Sequence, residues 1–173
     1  GLGLAGQQWV VLGYALALSA LYLPSGALGD RVGLRRLFVA GVVLFALASA
    51  LCALAGSEAL LVGGRALQGV GGAALTTTSL ALLRVTWVGE EGRAIGLWTS
   101  LTGLATIGGP ALGGLLVDSA SWRWIFLINI PLAVVVVALA LAGRVEDETA
   151  IGRATLDLTG SALAVVGLVG VSF

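Results

Sequence analysis

Apolar residues dominate this chain in long runs: Trp9–Leu28, Leu37–Ala55, Leu60–Leu83, Ala94–Val117 and Trp124–Leu141, with a sixth opening near Leu156 and continuing to Phe173. A bilayer core about 30 Å thick is crossed by roughly 20 apolar residues at 1.5 Å rise each. Each complete run therefore predicts a transmembrane helix. All nine acids and eight of the nine basic residues lie outside these runs or at their edges, leaving Arg65 alone inside one.

The connections predict the orientation. The first holds Arg31, Arg35 and Arg36, the third Arg84 and Arg93, and the fifth Arg144 and Arg153, whereas the second holds no arginine and the fourth only one, Arg123. Basic residues favour the cytoplasmic side of a membrane, so the odd-numbered connections are expected there. Trp87, Trp122 and Trp124 stand at segment ends, where aromatic rings favour the headgroup region. Connections of about 4 to 14 residues predict that successive helices are antiparallel neighbours. The most polar stretch, RVEDETAIGRATLD at 144–157, reads as a cytoplasmic linker between two groups of helices.

Composition agrees. The chain is 58% hydrophobic and 10% charged, with a mean hydropathy of +1.07, whereas a soluble domain is about a quarter charged. A formal net charge of zero and no basic tract beyond the Arg31–Arg36 cluster give nucleic-acid binding little support. The chain has no His and a single cysteine, Cys52, in an apolar run. That removes an internal disulfide and the usual zinc, haem and Cys/His nucleophile constellations, so neither metal nor cofactor is expected. Cys52 itself reads as a small buried or lipid-facing hydrophobe. Gly1, Gly3 and Gly6 spell G-x-G-x-x-G, but they lead into a membrane span rather than joining a strand to a helix, so no dinucleotide site is expected. The first run is too long for a signal peptide and lacks a basic leader. Methionine is absent even at position 1, and the chain ends inside an apolar run, which points to a piece of a longer protein.

Three stretches carry candidate chemistry. GRALQGVGGAA (64–74) and GGPALGGLL (108–116) present small residues along helix faces, Gly109 and Gly113 in G-x-x-x-G spacing. Such faces let membrane helices approach closely. Pro110 deletes a helix hydrogen bond and marks a bend or hinge, so Gly109, Pro110, Gly113 and Gly114 are expected to pack a helix that moves. Arg65 costs roughly 2.5 to 3.5 kcal/mol at mid-helix; it either snorkels to the near interface or works in the interior beside Gln68, one turn on. GALGDRVGLRR (26–36) reads as a tight cytoplasmic hairpin in which Asp30 needs a partner among Arg31, Arg35, Arg36 and Arg93 of the third connection.

These stretches resemble the major facilitator superfamily, and specifically its fourteen-helix drug:proton antiporters. Gly26, Asp30, Arg31, Gly33, Arg35 and Arg36 match the superfamily's motif A, although Leu34 stands where a basic residue is common. Leu61-Val-Gly-Gly-Arg65-Ala-Leu-Gln68-Gly69 resembles motif B, whose arginine is linked to proton coupling. Gly109-Pro110-Ala-Leu-Gly113-Gly114 resembles motif C, associated with antiporters. Ser121-Trp-Arg-Trp-Ile-Phe-Leu-Ile-Asn129-Ile-Pro131 is similar to the start of helix six in that branch, and Gln8-Trp9 with Tyr14 fits its helix two.

The resemblance implies an all-α polytopic membrane protein, an N-terminal-half fragment of the major facilitator fold. Residues 1–143 would be helices two to six, 144–156 a cytoplasmic linker, and 157–173 the truncated start of helix seven. It implies a non-enzymatic, proton-coupled antiporter that exports small drug-like or amphipathic molecules across the bacterial inner membrane by alternating access. Its partners would be the bilayer, the substrate and protons, with a monomer expected for the full-length protein. Arg65 and Gln68 would face the cavity, and Asp30 with its arginines, Arg93 foremost, would latch the cytoplasmic side. A proton-coupled metabolite importer of the same fold is the alternative. An intramembrane enzyme lacks a nucleophile–base pair, and a packing subunit would not need Arg65.

Overall fold

The computed structural model describes residues 3–142. The order is α1 (Leu4–Val32), α2 (Leu34–Ala53), α3 (Glu58–Thr86), α4 (Glu91–Ser119), α5 (Trp124–Leu127) and α6 (Asn129–Ala142), with no strand among the described residues. All five complete apolar runs are helical, and α5 with α6 forms the fifth segment long and apolar enough to cross a membrane. The linker expected at 144–156 and the helix start expected at 157–173 fall outside the described residues.

Helix ends depart from the expected loops. α1 continues through Asp30 and Arg31, and only Gly33, at φ 98°, separates it from α2. That left-handed conformation is open to glycine at no steric cost, so the charged hairpin is two helix ends joined by one residue. Arg31 in the last turn of α1 faces the negative end of the helix dipole, a favourable position. α3 begins on an N-cap: the Leu60 backbone N–H donates to Ser57 Oγ at 3.3 Å, with Glu58 in the first turn. The fifth run is divided at Ile128. Pro131 has no N–H to offer the Leu127 carbonyl one turn back, which removes the hydrogen bond that would carry α5 smoothly into α6.

The arrangement corrects one expectation. α3 lies lengthwise against both α1 and α2, whereas α1 and α2 meet only briefly. Sequence order makes α2 and α3 neighbours, but α1 reaches its main partner by skipping one helix. The reason is the small-residue surface of α3, which is cut on two sides. A Cβ at Gly69 would sit 2.5 Å from the Tyr14 carbonyl oxygen of α1, and one at Gly71 would sit 2.8 Å from the Phe45 nitrogen of α2. With no hydrophobic effect to drive helices together in lipid, such backbone proximity supplies the dispersion contact that holds them.

α4 stands apart. Among the described elements it touches only α3 and α5, and Ala94 is its only buried residue among those described. Added Cβ atoms at Gly109, Gly113 and Gly114 would meet nothing within 4 Å, and the helix runs unbroken through Pro110. The close contact expected at this face is therefore not made by any described residue.

Candidate functional site

Arg65 projects from α3 into the angle between α3 and α1. Its Nε donates to the Val10 carbonyl at 3.1 Å, its Nη1 donates to Gln68 Oε1 at 2.9 Å, and its guanidinium carbon lies 4.3 Å from the centroid of the Tyr14 ring. The side chain is thus held toward α1 and back onto the next turn of α3, not extended toward the near helix end as snorkelling requires. A backbone carbonyl, an amide oxygen and a π-face are all electron-rich and uncharged, so the cation is solvated while its positive charge stays unneutralised. The acids among the described residues, Asp30, Glu58, Glu90, Glu91 and Asp118, all sit at or near helix ends.

Gln68 extends the network inward. Its Nε2 donates to Ser49 Oγ on α2 at 2.6 Å; Ser49 in turn donates to the Phe45 carbonyl at 2.8 Å and accepts from Asn129 Nδ2 on α6 at 3.4 Å. The Cys52 thiol faces Gln68 Oε1 at 3.8 Å and the Leu61 carbonyl at 3.9 Å. Ser49 therefore uses its one donor and both acceptor sites. The carboxamide has one sensible orientation, because guanidinium only donates and must meet the oxygen. No buried side-chain nitrogen or oxygen lacks a partner among the described residues. Gln68 is 1% exposed and Ser49 and Cys52 are 0% exposed. The expectation that Gln68 faces an open cavity thus gives way to a sealed amide joining α3 to α2, and Cys52, buried as expected, sits against a polar cluster.

The motif A residues divide. Arg35, in the first turn of α2, donates from Nε to the Ala140 carbonyl and from Nη2 to the Leu141 carbonyl, both at 2.9 Å. It thereby ties the start of α2 to the last described turn of α6. At the opposite end of the same helix pair, Arg123 donates from Nε to the Ala53 carbonyl at 2.9 Å and stacks 4.7 Å from the Trp122 ring centroid. Asp30 is half-buried, and Gly26 has open space about it. Arg93 pairs instead with Glu90, 3.3 Å away on the exposed surface. The structure does not join Asp30 to Arg93. Arg31 and Arg36 are exposed at this same end.

A profile of the Major Facilitator Superfamily matches residues 1–170. The chain belongs to that superfamily. Superfamily relatives include the multidrug resistance protein Stp of Mycobacterium tuberculosis, 41% identical over 165 residues that make up 94% of this chain and 30% of Stp. The tetracenomycin C resistance and export protein of Streptomyces glaucescens is 43% identical over 150 residues, 85% of this chain and 28% of that protein. The methylenomycin A resistance protein of Bacillus subtilis is 40% identical over 152 residues, 86% of this chain and 33% of that protein. The chain spans about a third of the length of these curated relatives. Superfamily membership and the five membrane-length apolar helices make it part of a multi-pass membrane protein.

Within this superfamily chain, the sequence singled out Arg65 and Gln68 but missed Ser49 and Cys52 as their partners. The available signal was a polar side chain inside an apolar run, which in lipid demands a hydrogen bond. Ser49 carries that signal at seven residues from Val42, on the same face of α2. Asn129 and Tyr14 were noted for resemblance, and their contacts to Ser49 and Arg65 emerge only when α6 and α1 are brought beside α2 and α3.

Proposed function

We propose that this chain forms helices two to six of a proton-coupled exporter of drug-like or amphipathic molecules, with Arg65 as its fixed coupling charge. The observation that carries this reading is the unneutralised guanidinium held between α1 and α3 by Val10, Tyr14 and Gln68. Arginine stays protonated at any working pH, so it does not carry the proton. Its field instead favours the ionised form of a carboxyl that comes near it. When the helices rock and the carboxyl moves away, that carboxyl takes up a proton; on return it releases one. The carboxyl lies outside the described spans of this chain. The naming of relatives for resistance to, or export of, antibiotics supports export as the direction.

The test is transport by the full-length protein in proteoliposomes with an imposed pH gradient. Wild type is expected to move an amphipathic dye against proton flow, and Arg65→Lys to insert normally yet lose most of that activity. Uptake with protons would favour the importer, and full activity in Arg65→Lys would remove Arg65 from the coupling step.

A further inference from the structure

Asn129 opens α6 directly after the break at Ile128, and its side chain carries the fifth segment into the Arg65 network. Its Nδ2 lies 3.4 Å from Ser49 Oγ on α2 and 3.4 Å from the Ile125 carbonyl of α5. A firm N–H···O bond measures about 2.7–3.2 Å, so the amide is held tightly by neither acceptor. The bonds beyond it are firm: Gln68 Nε2 donates to Ser49 Oγ at 2.6 Å, and Ser49 donates to the Phe45 carbonyl at 2.8 Å. Ser49 and Gln68 are buried, whereas Asn129 is half-buried. A weak bond of the network thus stands at the break in the segment. α4 touches α5, so a movement of α4 is passed to α5 and turns it about that break.

The hydrogens of the network give that weak bond its meaning. A serine hydroxyl has one proton and two lone pairs. While Gln68 and Asn129 both donate to Ser49, its proton goes to the Phe45 carbonyl, and the Gln68 oxygen is left for Arg65 Nη1 at 2.9 Å. Withdrawal of Asn129 vacates a lone pair and opens a second arrangement. The carboxamide turns over, the Ser49 hydroxyl donates to the Gln68 oxygen, and the amide hydrogens face Arg65. A guanidinium accepts no hydrogen bond, so Arg65 then loses Gln68 and offers Nη1 to another acceptor. The Cys52 thiol beside the amide tolerates either orientation, since sulfur is both a weak donor and a weak acceptor. Two discrete states of one element are what coupling between distant parts requires.

We propose that Asn129 is a positioning residue for Arg65: seated on Ser49 it locks the network in the polarity that holds the guanidinium, and swung away with α5 it releases it. The inference rests on Arg65 being the coupling charge, and release is the moment at which the guanidinium pairs with the carboxyl. Tyr14 of α1 and Cys52 of α2 are the titratable groups that face Arg65 among the described residues, and no acid stands with them.

The pH profile of proton-driven dye transport by the full-length protein in proteoliposomes tests this. Pairing with arginine lowers a carboxyl pKa by about 1–3 units, so Asn129→Ala, which favours release, is expected to move the midpoint down by about one unit. Asn129→Gln keeps the amide donor and is expected to hold the wild-type midpoint. Ser49→Ala removes the hydroxyl that captures the Gln68 oxygen, so Asn129→Ala/Ser49→Ala is expected to return to the wild-type midpoint, a suppression that general loosening of the helices does not produce. An unmoved midpoint in Asn129→Ala, an equal shift in Asn129→Gln, or a shift that survives Ser49→Ala would each overturn the proposal. Arg65→Lys separates the two levels. Loss of transport in that variant together with an unmoved Asn129→Ala midpoint strikes this inference alone, whereas full transport in Arg65→Lys removes the coupling charge and this inference with it.

Discussion

Gln68 of α3 and Ser49 of α2 are joined by a 2.6 Å hydrogen bond inside a cluster closed to solvent. That bond fixes which way the carboxamide faces, and so presents its oxygen to Arg65 at 2.9 Å. A contact between two uncharged side chains thereby sets the position of the one charge inside the described spans. Asn129 adds a strut to the same serine from α6.

Ser49→Ala should strand the Gln68 Nε2 donor in a dry site. Leaving buried donors unmet costs about 1–3 kcal/mol, so thermal stability in detergent should fall by that order. The 0%-exposed Cys52 supplies a second readout: its modification by a thiol reagent should accelerate. The double variant Ser49→Ala/Gln68→Leu should be less damaging than the sum of the two single ones, because partners in one network couple.

Tyr14 solvates Arg65 through its ring face, and the phenol oxygen is not needed for that. Tyr14→Phe should therefore keep near-normal stability and transport. Tyr14→Leu should lose a contribution of about 0.5–2 kcal/mol and impair transport with the protein still inserted. Equal behaviour of the two variants in a melting assay would deny the cation–π contact any weight.

Gly71→Ala should push α2 and α3 apart, since the new methyl would meet Phe45 nitrogen at 2.8 Å and the Gly41 carbonyl at 2.9 Å, both backbone atoms. Overpacking of this kind costs about 1–3 kcal/mol. Gly63→Ala on the same helix meets open space and should be neutral or slightly stabilising, because alanine is the better helix former. Comparing the two melting curves isolates the contact from helix propensity.

Arg35→Gln should loosen the last described turn of α6 from the start of α2. Hydrogen bonds from a charged donor contribute about 1.5–3 kcal/mol, and here two carbonyls share one guanidinium. Amide exchange over residues 137–142 should rise, while exchange in α3 stays as it was. Arg35→Lys should rescue only partly, because a single ammonium does not reproduce the fixed fork.

The membrane orientation can be read with single cysteines in a Cys52→Ala background. Val88, 81% exposed between α3 and α4, should resist an impermeant thiol reagent added outside intact cells when replaced by cysteine. Gly56→Cys, between α2 and α3, should react. The opposite pattern would invert the topology.

Much of this protein was legible in one dimension. Long apolar runs with charges confined to their edges determine a polytopic helical protein, because a bilayer admits no unpaired backbone. The isolation of Arg65 in such a run marked it as a candidate, since a membrane charge needs a reason to be there. The two-sided glycine surface of α3 was visible as spacing, and α3 does fill the space between α1 and α2. Which helices it joins was not visible, because short connections limit only how far apart neighbours start, and close backbone approach then selects the partner. The same holds for charge. Shared placement on the expected cytoplasmic side suggested Asp30 with Arg93, yet Arg93 takes Glu90 one turn away, and Arg35 takes carbonyls more than a hundred residues on. Backbone carbonyls carry no side-chain signature, so no residue pattern announces them as acceptors. The tertiary structure alone decided that Ser49, Gln68 and Arg65 form one network, because hydrogen bonds of 2.6 to 2.9 Å depend on the rotation of each helix about its own axis, a quantity set by packing.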